Sequence, residues 1–262
     1  MNPKDIFSIS SPQEFESRAL EIFRIQAEHC QVYADFIRNL GINSKDIHQI
    51  SDIPYLPIEF FKTHDIRCSD KAPEIVFTSS GTTGTSQSKH PVTDLGIYKQ
   101  SFLAAFKAFY GEIKNYAILG LLPSYQEREG SSLIYMVDDL IRQSKHPGSG
   151  YFLYNHSELA ETLKELKRTN THTLLIGVTY ALLDFAESHS VEFPELIVME
   201  TGGMKGKRRE MIREELHEIL CQGFGVPAIH SEYGMTELLS QAYSKGGGVF
   251  HCPEWMSGNI RD

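Results

Sequence analysis

The stretch "THTLLIGVTYALLDFAESHSVEFPELIVMETGG", residues 171–203, decides the fold class. It contains two short apolar runs, Leu174 to Val178 and Leu196 to Met199, separated by a segment with apolar residues at helical spacing. Apolar runs without polar alternation are typical of strands buried on both faces, as in parallel sheets. A strand, a helix and a second strand in this order predict a βαβ unit.

The same alternation continues on both sides of this stretch, from residue 74 to residue 234. Further strands are predicted in "EIVFTSS", "NYAILGLLPS" and "PAIHSEYG". Further helices are predicted in "TDLGIYKQSFLAAFKAFYG", "SSLIYMVDDLIRQS", "SELAETLKELKR" and "KRREMIREELHEIL". We therefore expect an α/β protein with mostly parallel sheets covered by helices.

The first part of the chain has a different organisation. Ser11-Pro12-Gln13-Glu14 matches a capping box with proline at the first helical position, and apolar residues then recur at spacings of three and four up to Leu40. Gly41 ends this pattern, which predicts one long amphipathic helix. The sequence thus predicts two parts, an N-terminal helical segment over residues 1–60 that packs on a core formed by residues 61–262.

Composition excludes several classes of protein. Of 262 residues, 41% are hydrophobic and 23% charged, and the formal net charge is −9, so no general attraction to nucleic acid or to anionic membranes is expected. No apolar run approaches the length of a membrane span, and the N-terminus lacks an apolar signal core. The four cysteines form no CxxC pair. A cytoplasmic location with reduced thiols is the resulting expectation.

In parallel sheets, ligands bind beyond the carboxyl ends of the strands. The first unusual strand end is "TSSGTTG" after Phe77, followed by Lys89. Its glycines permit tight turns that aim backbone N–H groups at an anion, its hydroxyls add donors, and Lys89 would reach a terminal phosphate. The spacing differs from a Walker A loop. A polar linker loop is the alternative. The candidate phosphate-binding residues are Ser79, Ser80, Gly81, Thr82, Thr83, Gly84 and Lys89.

The second and third unusual strand ends are "ETGGMKG" after Met199 and "SEYGMTE" after Ile229. The adjacent Gly202 and Gly203 favour close approach of a ligand to the backbone, although a simple tight turn explains them equally. In the third, Gly234 beside Tyr233 permits a planar ligand to approach the ring. The following Thr236 and Glu237 are candidates for a phosphate contact and a Mg²⁺ ligand. A helix-capping role for Thr236 is the alternative. The basic stretch "KGKRREMIR", residues 205–213, is interpreted as the solvated face of a helix.

Taken in this order, the three motifs resemble the adenylate-forming superfamily of acyl-CoA ligases, peptide-synthetase adenylation domains and luciferases. A closer resemblance is to the acyl-protein synthetase family (LuxE-type, long-chain-fatty-acid–protein ligases). It extends from about Ile53 to Asp262 and is carried by "IPYLPIEFFKTHDI", "SSGTTGTSQSKH", "ETGGMKGKRRE", "YGMTELLSQAY" and "CPEWM". The sequence departs from the usual first motif at Ser88, where proline is usual, and in a longer gap before Lys89.

The resemblance implies a function. Family members use ATP to convert a fatty or other carboxylic acid into an acyl-adenylate and pass the acyl group to a protein thiol, so an acyl-acceptor or reductase protein is the implied partner. The implied cofactors are ATP and Mg²⁺. The implied acyl pocket lies between "LLPSYQEREGSS" and "IGVTYALLDF".

The resemblance also assigns roles to single residues. Ser80, Gly81, Thr82, Thr83, Gly84 and Lys89 would hold the β- and γ-phosphates. Gly202, Gly203 and Met204 would border the adenine, on which Tyr233, followed by Gly234, would stack. Glu237 would bind Mg²⁺. Thr236, at the α-phosphate, and Lys89 are the implied catalytic residues.

Two alternatives stay open at this stage. The family's ribose-binding segment, hinge and C-terminal lid have no counterpart in this sequence, so we expect the large N-terminal part of such an enzyme, truncated before the hinge. A phenylacetate-type acyl-CoA ligase and a non-catalytic nucleotide- or acyl-binding paralogue are the other readings.

Overall fold

The structure is a computed structural model that describes residues 3–80, 86–124, 126–204 and 206–259. Its eight described strands are β1 (Ile75–Thr78), β2 (Lys89–Val92), β3 (Ala117–Leu121), β4 (Gly150–Tyr151), β5 (Thr173–Val178), β6 (Ile197–Thr201), β7 (His230–Tyr233) and β8 (Ala242–Ser244). Its eight described helices are α1 (Pro12–His29), α2 (Gln31–Asn39), α3 (Phe60–Thr63), α4 (Leu95–Tyr110), α5 (Ser132–Ser144), α6 (His156–Arg168), α7 (Thr179–Ser188) and α8 (Arg213–Phe224).

A six-stranded sheet forms the centre of the molecule, in the order β4-β3-β5-β6-β7-β8. The first five strands in this order, β4, β3, β5, β6 and β7, run parallel to one another. The last strand, β8, pairs antiparallel with β7. Every residue of β3 and β5 is buried, as expected for strands covered on both faces. The predicted α/β architecture with a mostly parallel sheet is confirmed. Strands β1 and β2 form a separate antiparallel hairpin, of which only β1 was predicted.

Helix α4 illustrates how local sequence sets element boundaries. The Asp94 side chain accepts a hydrogen bond from the Gly96 N–H and caps the start. Gly111 ends the helix with φ of +85°, a backbone conformation that favours glycine. The predicted end of this helix at Gly111 is confirmed.

The single long N-terminal helix predicted from the apolar spacing is wrong. The structure has two helices, α1 and α2, separated at Cys30, whose backbone is extended (φ −100°, ψ 101°). The Cys30 N–H donates to the Gln26 carbonyl in the last hydrogen bond of α1. The Cys30 carbonyl accepts from the Ala34 N–H in the first hydrogen bond of α2. Apolar spacing of three and four persists across the break, so periodicity alone does not detect it.

The buried apolar side chains form two separate clusters. The larger surrounds the sheet. The smaller is built from the N-terminal part, with Leu20, Phe23, Cys30, Tyr33, Ile37, Ile47 and Ile53. The Tyr33 hydroxyl fixes this smaller cluster by donating to the Pro54 carbonyl at 2.7 Å.

The last predicted helix begins later than its sequence pattern suggests. Residues 206–212 are not helical, and α8 starts at Arg213 after an extended Ile212. The interpretation of the basic stretch as a solvated helix face is therefore wrong for these residues. Arg208 instead forms ion pairs with Asp184 and Glu187 of α7. Across the described ranges, no helix has the length and apolar character needed to cross a membrane.

Candidate functional site

A cleft of about 480 Å³ opens beyond the carboxyl ends of β6 and β7. A smaller cleft of about 180 Å³ adjoins it, and the two share Thr201, Gly202, Glu232 and Gly234. The larger cleft also contains predicted residues Gly203, Met204 and Tyr233, whereas the smaller one contains Ser80 and Thr236. The three unusual strand ends therefore meet at one edge of the sheet.

Two different physical needs explain the glycines of this site. Gly202 and Gly203 have φ of +79° and +70°, in the left-handed region that side chains disfavour. Gly203 has open space where a side chain would stand, so its backbone conformation is the reason for glycine. At Gly234, by contrast, an added Cβ would lie 2.6 Å from Glu232 Oε1. The carboxyl of Glu232 thus occupies the space that a side chain at position 234 would need.

Part of the first predicted phosphate motif lies outside the described residues. Gly81, Thr82, Thr83 and Gly84 belong to this part, and their predicted role stays a prediction. Ser80, the last described residue before them, lines the smaller cleft. Ser80 therefore lies at the edge that also carries Gly202 and Thr236.

Lys89 is not among the described residues that line either cleft, and its predicted role stays a prediction. Lys89 pairs with Thr78 in the β1–β2 hairpin and lines a separate cleft with Val76 and Pro91. Neighbouring side chains alternate between the two faces of a strand. The next residue, His90, faces Thr236, and the His90 ring Nδ1 lies 2.9 Å from the Thr236 carbonyl oxygen. Lys89 therefore projects to the face opposite His90, the face that also carries its strand partner Thr78, which lines the smaller cleft.

His90 is a residue that the motif analysis missed. Burial lowers its pKa, because a charged imidazolium loses hydration there, while the Thr236 carbonyl and the Glu237 charge act in the opposite direction. A neutral His90 with a proton on Nδ1 donates to the Thr236 carbonyl and holds the turn that carries Thr236. No local spacing marks this histidine, since its partner is far away in the chain.

Glu237, the predicted Mg²⁺ ligand, follows Thr236 in the same turn and is half-buried. It is not among the described residues that line either cleft. Within the described ranges, no group of three or more His, Cys, Asp or Glu side chains could hold a metal ion. Mg²⁺ usually keeps several waters and takes one or two protein carboxylates together with substrate phosphates. A single carboxylate at this turn is compatible with that mode.

Two buried carboxyl groups that were not predicted stand at the centre of the site. Thr201 Oγ1 donates to Glu232 Oε2 at 2.7 Å, and Thr179 Oγ1 donates to Glu200 Oε2 at 3.3 Å. Burial raises the pKa of Glu232 to about 7, and the neighbouring charge of Glu200 adds to this effect. The signal that could have found both residues is an acidic residue within a predicted buried strand end.

Glu200 behaves differently from Glu232. Burial opposes ionisation of Glu200, but the neighbouring His217, Ser231 and Arg213 outweigh it and lower the pKa of that carboxyl. His217 Nε2 lies 3.8 Å from Glu200 Oε1. Two adjacent carboxyl groups whose pKa values are pushed apart favour an ionised Glu200 beside a protonated Glu232 below about pH 7.

Cations flank both clefts. Arg213 lines the larger cleft, and its guanidinium lies 5.0 Å from the centre of the Phe250 ring. Arg128 lines the smaller cleft together with Ser131 and Ser132. These three residues come from the segment that the resemblance assigned to an acyl pocket. The cleft they form is small and polar, which suits an anion better than an alkyl chain.

A buried hydrogen-bond network supports the smaller cleft. The Tyr98 hydroxyl donates to the Ser132 carbonyl at 3.0 Å and accepts from Gln241 Nε2 at 3.1 Å. Gln241 Oε1 has no hydrogen-bond partner within the described ranges. This buried acceptor is an exception to the usual pairing of buried polar atoms.

Comparison of the chain with models of known protein families finds no match, and comparison with curated proteins likewise finds none.

Proposed function

We propose that the protein binds ATP at the carboxyl ends of β6 and β7 and activates a carboxylic acid, a fatty acid in the family it resembles, for transfer to a protein thiol. The observation that carries this proposal is the convergence of Ser80, Gly202 and Thr236 on two adjoining clefts. Each residue comes from a different motif of the adenylate-forming pattern, and the chain positions give no reason for them to meet. Convergence at a ligand-binding edge of a parallel sheet supports a joint role.

The larger cleft suits the nucleoside. The Tyr233 side chain is 44% exposed, so an adenine ring can stack on it. Gly202 and Gly203 allow the other side of the ring to approach the backbone closely. Met204, which is buried, closes the inner end of this cleft.

The smaller cleft suits the phosphates. Ser80 and Thr236 offer hydroxyl donors, and Arg128 offers a guanidinium that can hold two phosphate oxygens. We assign to Arg128 the phosphate-binding charge that the motif pattern assigned to Lys89, because Arg128 lines the smaller cleft and Lys89 does not. Mg²⁺ would neutralise part of the triphosphate charge, and the resemblance assigns its protein ligand to Glu237.

The proposed chemistry has two transfers. An oxygen of the substrate carboxylate attacks the α-phosphorus, and pyrophosphate leaves with the electron pair of the broken P–O bond. A thiolate then attacks the acyl carbon, and AMP leaves. The protein contributes by holding both reactants in line and by placing hydrogen-bond donors where charge develops.

Titration calorimetry with ATP and Mg²⁺, and separately with an acyl-sulfamoyl adenosine, tests the proposed binding. We expect Arg128→Ala and Thr236→Ala to weaken binding by about tenfold or more, because a charge-assisted contact contributes roughly 1.5–3 kcal/mol. Arg168→Ala, which removes a surface guanidinium paired with Glu165, is the matched control and should leave binding unchanged. Absence of binding by the folded wild-type protein would overturn the proposal.

Acid-dependent exchange between ATP and pyrophosphate tests the chemical step. Sustained exchange would support acyl-adenylate formation and would exclude the non-catalytic alternative. Addition of coenzyme A then distinguishes a CoA ligase, which would form a free thioester, from an enzyme that acylates a protein.

A further inference from the structure

A cavity of about 510 Å³ lies between the N-terminal helices and residues 255–257 and 259. It shares no described lining residue with either cleft of the candidate site, so it is a separate space. Its volume is within the range of small-molecule binding sites, about 300–1,000 Å³. Protein interiors are close-packed and contain few voids larger than a water molecule, so a space of this size exceeds what imperfect packing leaves.

One face of α1 forms much of the cavity wall. Phe15, Ala19, Ile22 and Phe23 line the cavity at spacings of three and four residues, which places them on the same side of the helix. Phe23 is buried, but the other three side chains are only half-buried. Apolar side chains that border unfilled space lose the dispersion contacts that a close-packed neighbour would supply. An apolar ligand in the cavity would supply these contacts.

The rest of the wall is also mostly apolar. It includes Ile53, Leu56, Phe61, Ile66, Leu238 and Trp255. Trp255 is fixed in this wall, since its Nε1 donates to Ser240 Oγ at 3.0 Å. An ordered water needs two to four polar partners, so a mostly apolar wall favours a hydrocarbon occupant over water.

Arg18 is the one charged side chain among the described residues that line the cavity. It lies on α1 between Phe15 and Ile22, and its side chain is 38% exposed, so the positive charge stands where the cavity meets solvent. One of its N–H groups donates to Glu21 at 2.8 Å. An exposed pair of this kind contributes little to stability, and a guanidinium has five N–H donors, so Arg18 can also bind a second carboxylate.

We propose that this cavity binds a long-chain alkyl carboxylate, with the hydrocarbon chain between α1 and Trp255 and the carboxylate at Arg18. A neutral hydrocarbon would leave the Arg18 charge unmatched, and a short acid would leave the apolar wall uncovered. An ion pair with two parallel hydrogen bonds is the arrangement in which a guanidinium holds a carboxylate best.

This binding site goes beyond the proposed nucleotide chemistry. It also differs from the acyl pocket that the resemblance implies, because no described residue of "LLPSYQEREGSS" or "IGVTYALLDF" lines the cavity. Binding of the acid is measured without ATP, so its result does not depend on whether the proposed nucleotide site is correct.

Fluorescence of Trp255, the single tryptophan of the sequence, tests the proposal on the wild-type protein. Bromine quenches an indole ring only at close contact. We therefore expect bromododecanoate, below its micelle concentration, to quench Trp255 in a saturable way and unlabelled dodecanoate to reverse the quenching. Unchanged fluorescence of the folded protein, with folding confirmed by circular dichroism, would overturn the proposal.

Variants of α1 test the position of the carboxylate. Arg18→Gln should weaken dodecanoate binding by about tenfold or more, because the charge-assisted contact is lost. Arg24→Gln is the matched control, since Arg24 is an exposed residue of the same helix outside the cavity wall, and it should bind like the wild type. Dodecanol, which has no charge, should bind equally to Arg18→Gln and to the wild type. Equal dodecanoate affinity of Arg18→Gln and the wild type would contradict an ion pair at Arg18.

Discussion

Thr201 Oγ1 donates a 2.7 Å hydrogen bond to Glu232 Oε2 and so joins the carboxyl ends of β6 and β7 inside the candidate site. The two strands are consecutive in the chain and are joined through α8, and Glu232 lines both the larger and the smaller cleft. A carboxyl group in such a place makes the stability of the fold sensitive to pH.

Glu232→Gln should remove a pH dependence of stability. An unfolded glutamate loses its proton near its ordinary pKa of 4.5, whereas folded Glu232 keeps its proton up to about pH 7. Within this window the folded state binds more protons, so the free energy of unfolding of the wild type falls as pH rises. Between about pH 4.5 and pH 7 the free energy of unfolding of the wild type should fall by about 3 kcal/mol from this group, and the variant should not show this fall.

Urea unfolding of the wild type and of Glu232→Gln at about pH 5 and about pH 8 measures this difference. Glu161→Gln is the control, since Glu161 forms an exposed pair with Lys164. Parallel stability curves for the wild type and Glu232→Gln would show that Glu232 ionises normally.

Tyr98→Phe should destabilise the fold without changing its core volume much. The substitution removes the hydroxyl that joins the Ser132 carbonyl to Gln241 and leaves both groups buried with one partner fewer. We expect a loss of about 1–3 kcal/mol in the free energy of unfolding. Tyr154→Phe, at a side chain that is 75% exposed, should change it by less than about 0.5 kcal/mol. A similar small change for both variants would mean that the network carries no net stability.

Lys89→Ala should leave ATP affinity unchanged within about twofold. The reason is geometric, since Lys89 lines a separate cleft and is not among the described residues of either cleft of the candidate site. Calorimetry beside the surface control Lys164→Ala measures the effect. A marked loss of affinity in Lys89→Ala alone would restore the role that the motif pattern assigned to this lysine.

Arg208→Ala should loosen the segment that follows β6. The Arg208 guanidinium bonds to Glu187 at 2.6 and 2.7 Å and also contacts Asp184, which fixes residues 206–212 against α7. The pairs are partly exposed, so global stability should fall by only about 1 kcal/mol or less. Hydrogen exchange of amides in this segment should accelerate, whereas Arg168→Ala should accelerate only amides near the end of α6. Unchanged exchange over residues 206–212 would show that other contacts hold the segment.

The parallel sheet was predictable because its central strands are uniformly apolar. Both faces of β3 and β5 are buried, so neither strand has a solvent-facing side that would call for polar residues. The break at Cys30 was not predictable in the same way. There a single extended residue changes the direction of the helix while the apolar spacing continues. Strand β2 was missed because its identity depends on pairing with β1 and not on its own polar sequence.

In the candidate site, too, some residues have a local sequence signal and others depend on tertiary contacts. Gly202, Gly203 and Thr236 were predictable because strand-end glycines and hydroxyls are local signals. Glu232, His90 and Arg128 were not predicted, since each acquires its role from residues far away in the chain. Their contribution depends on tertiary contact, burial and hydrogen bonding, which no local pattern encodes.

Because the buried apolar side chains of the described residues form two separate clusters, the two parts of the chain can unfold separately. The smaller cluster around Phe23 and Tyr33 shares no buried side chain with the cluster around the sheet. Local opening can therefore expose the first two helices to proteases while β3, β5 and β6 keep their hydrogen bonds. Loss of the N-terminal helices and loss of the sheet edge that carries Gly202 and Thr236 would then be distinct events, with different denaturant midpoints and different rates.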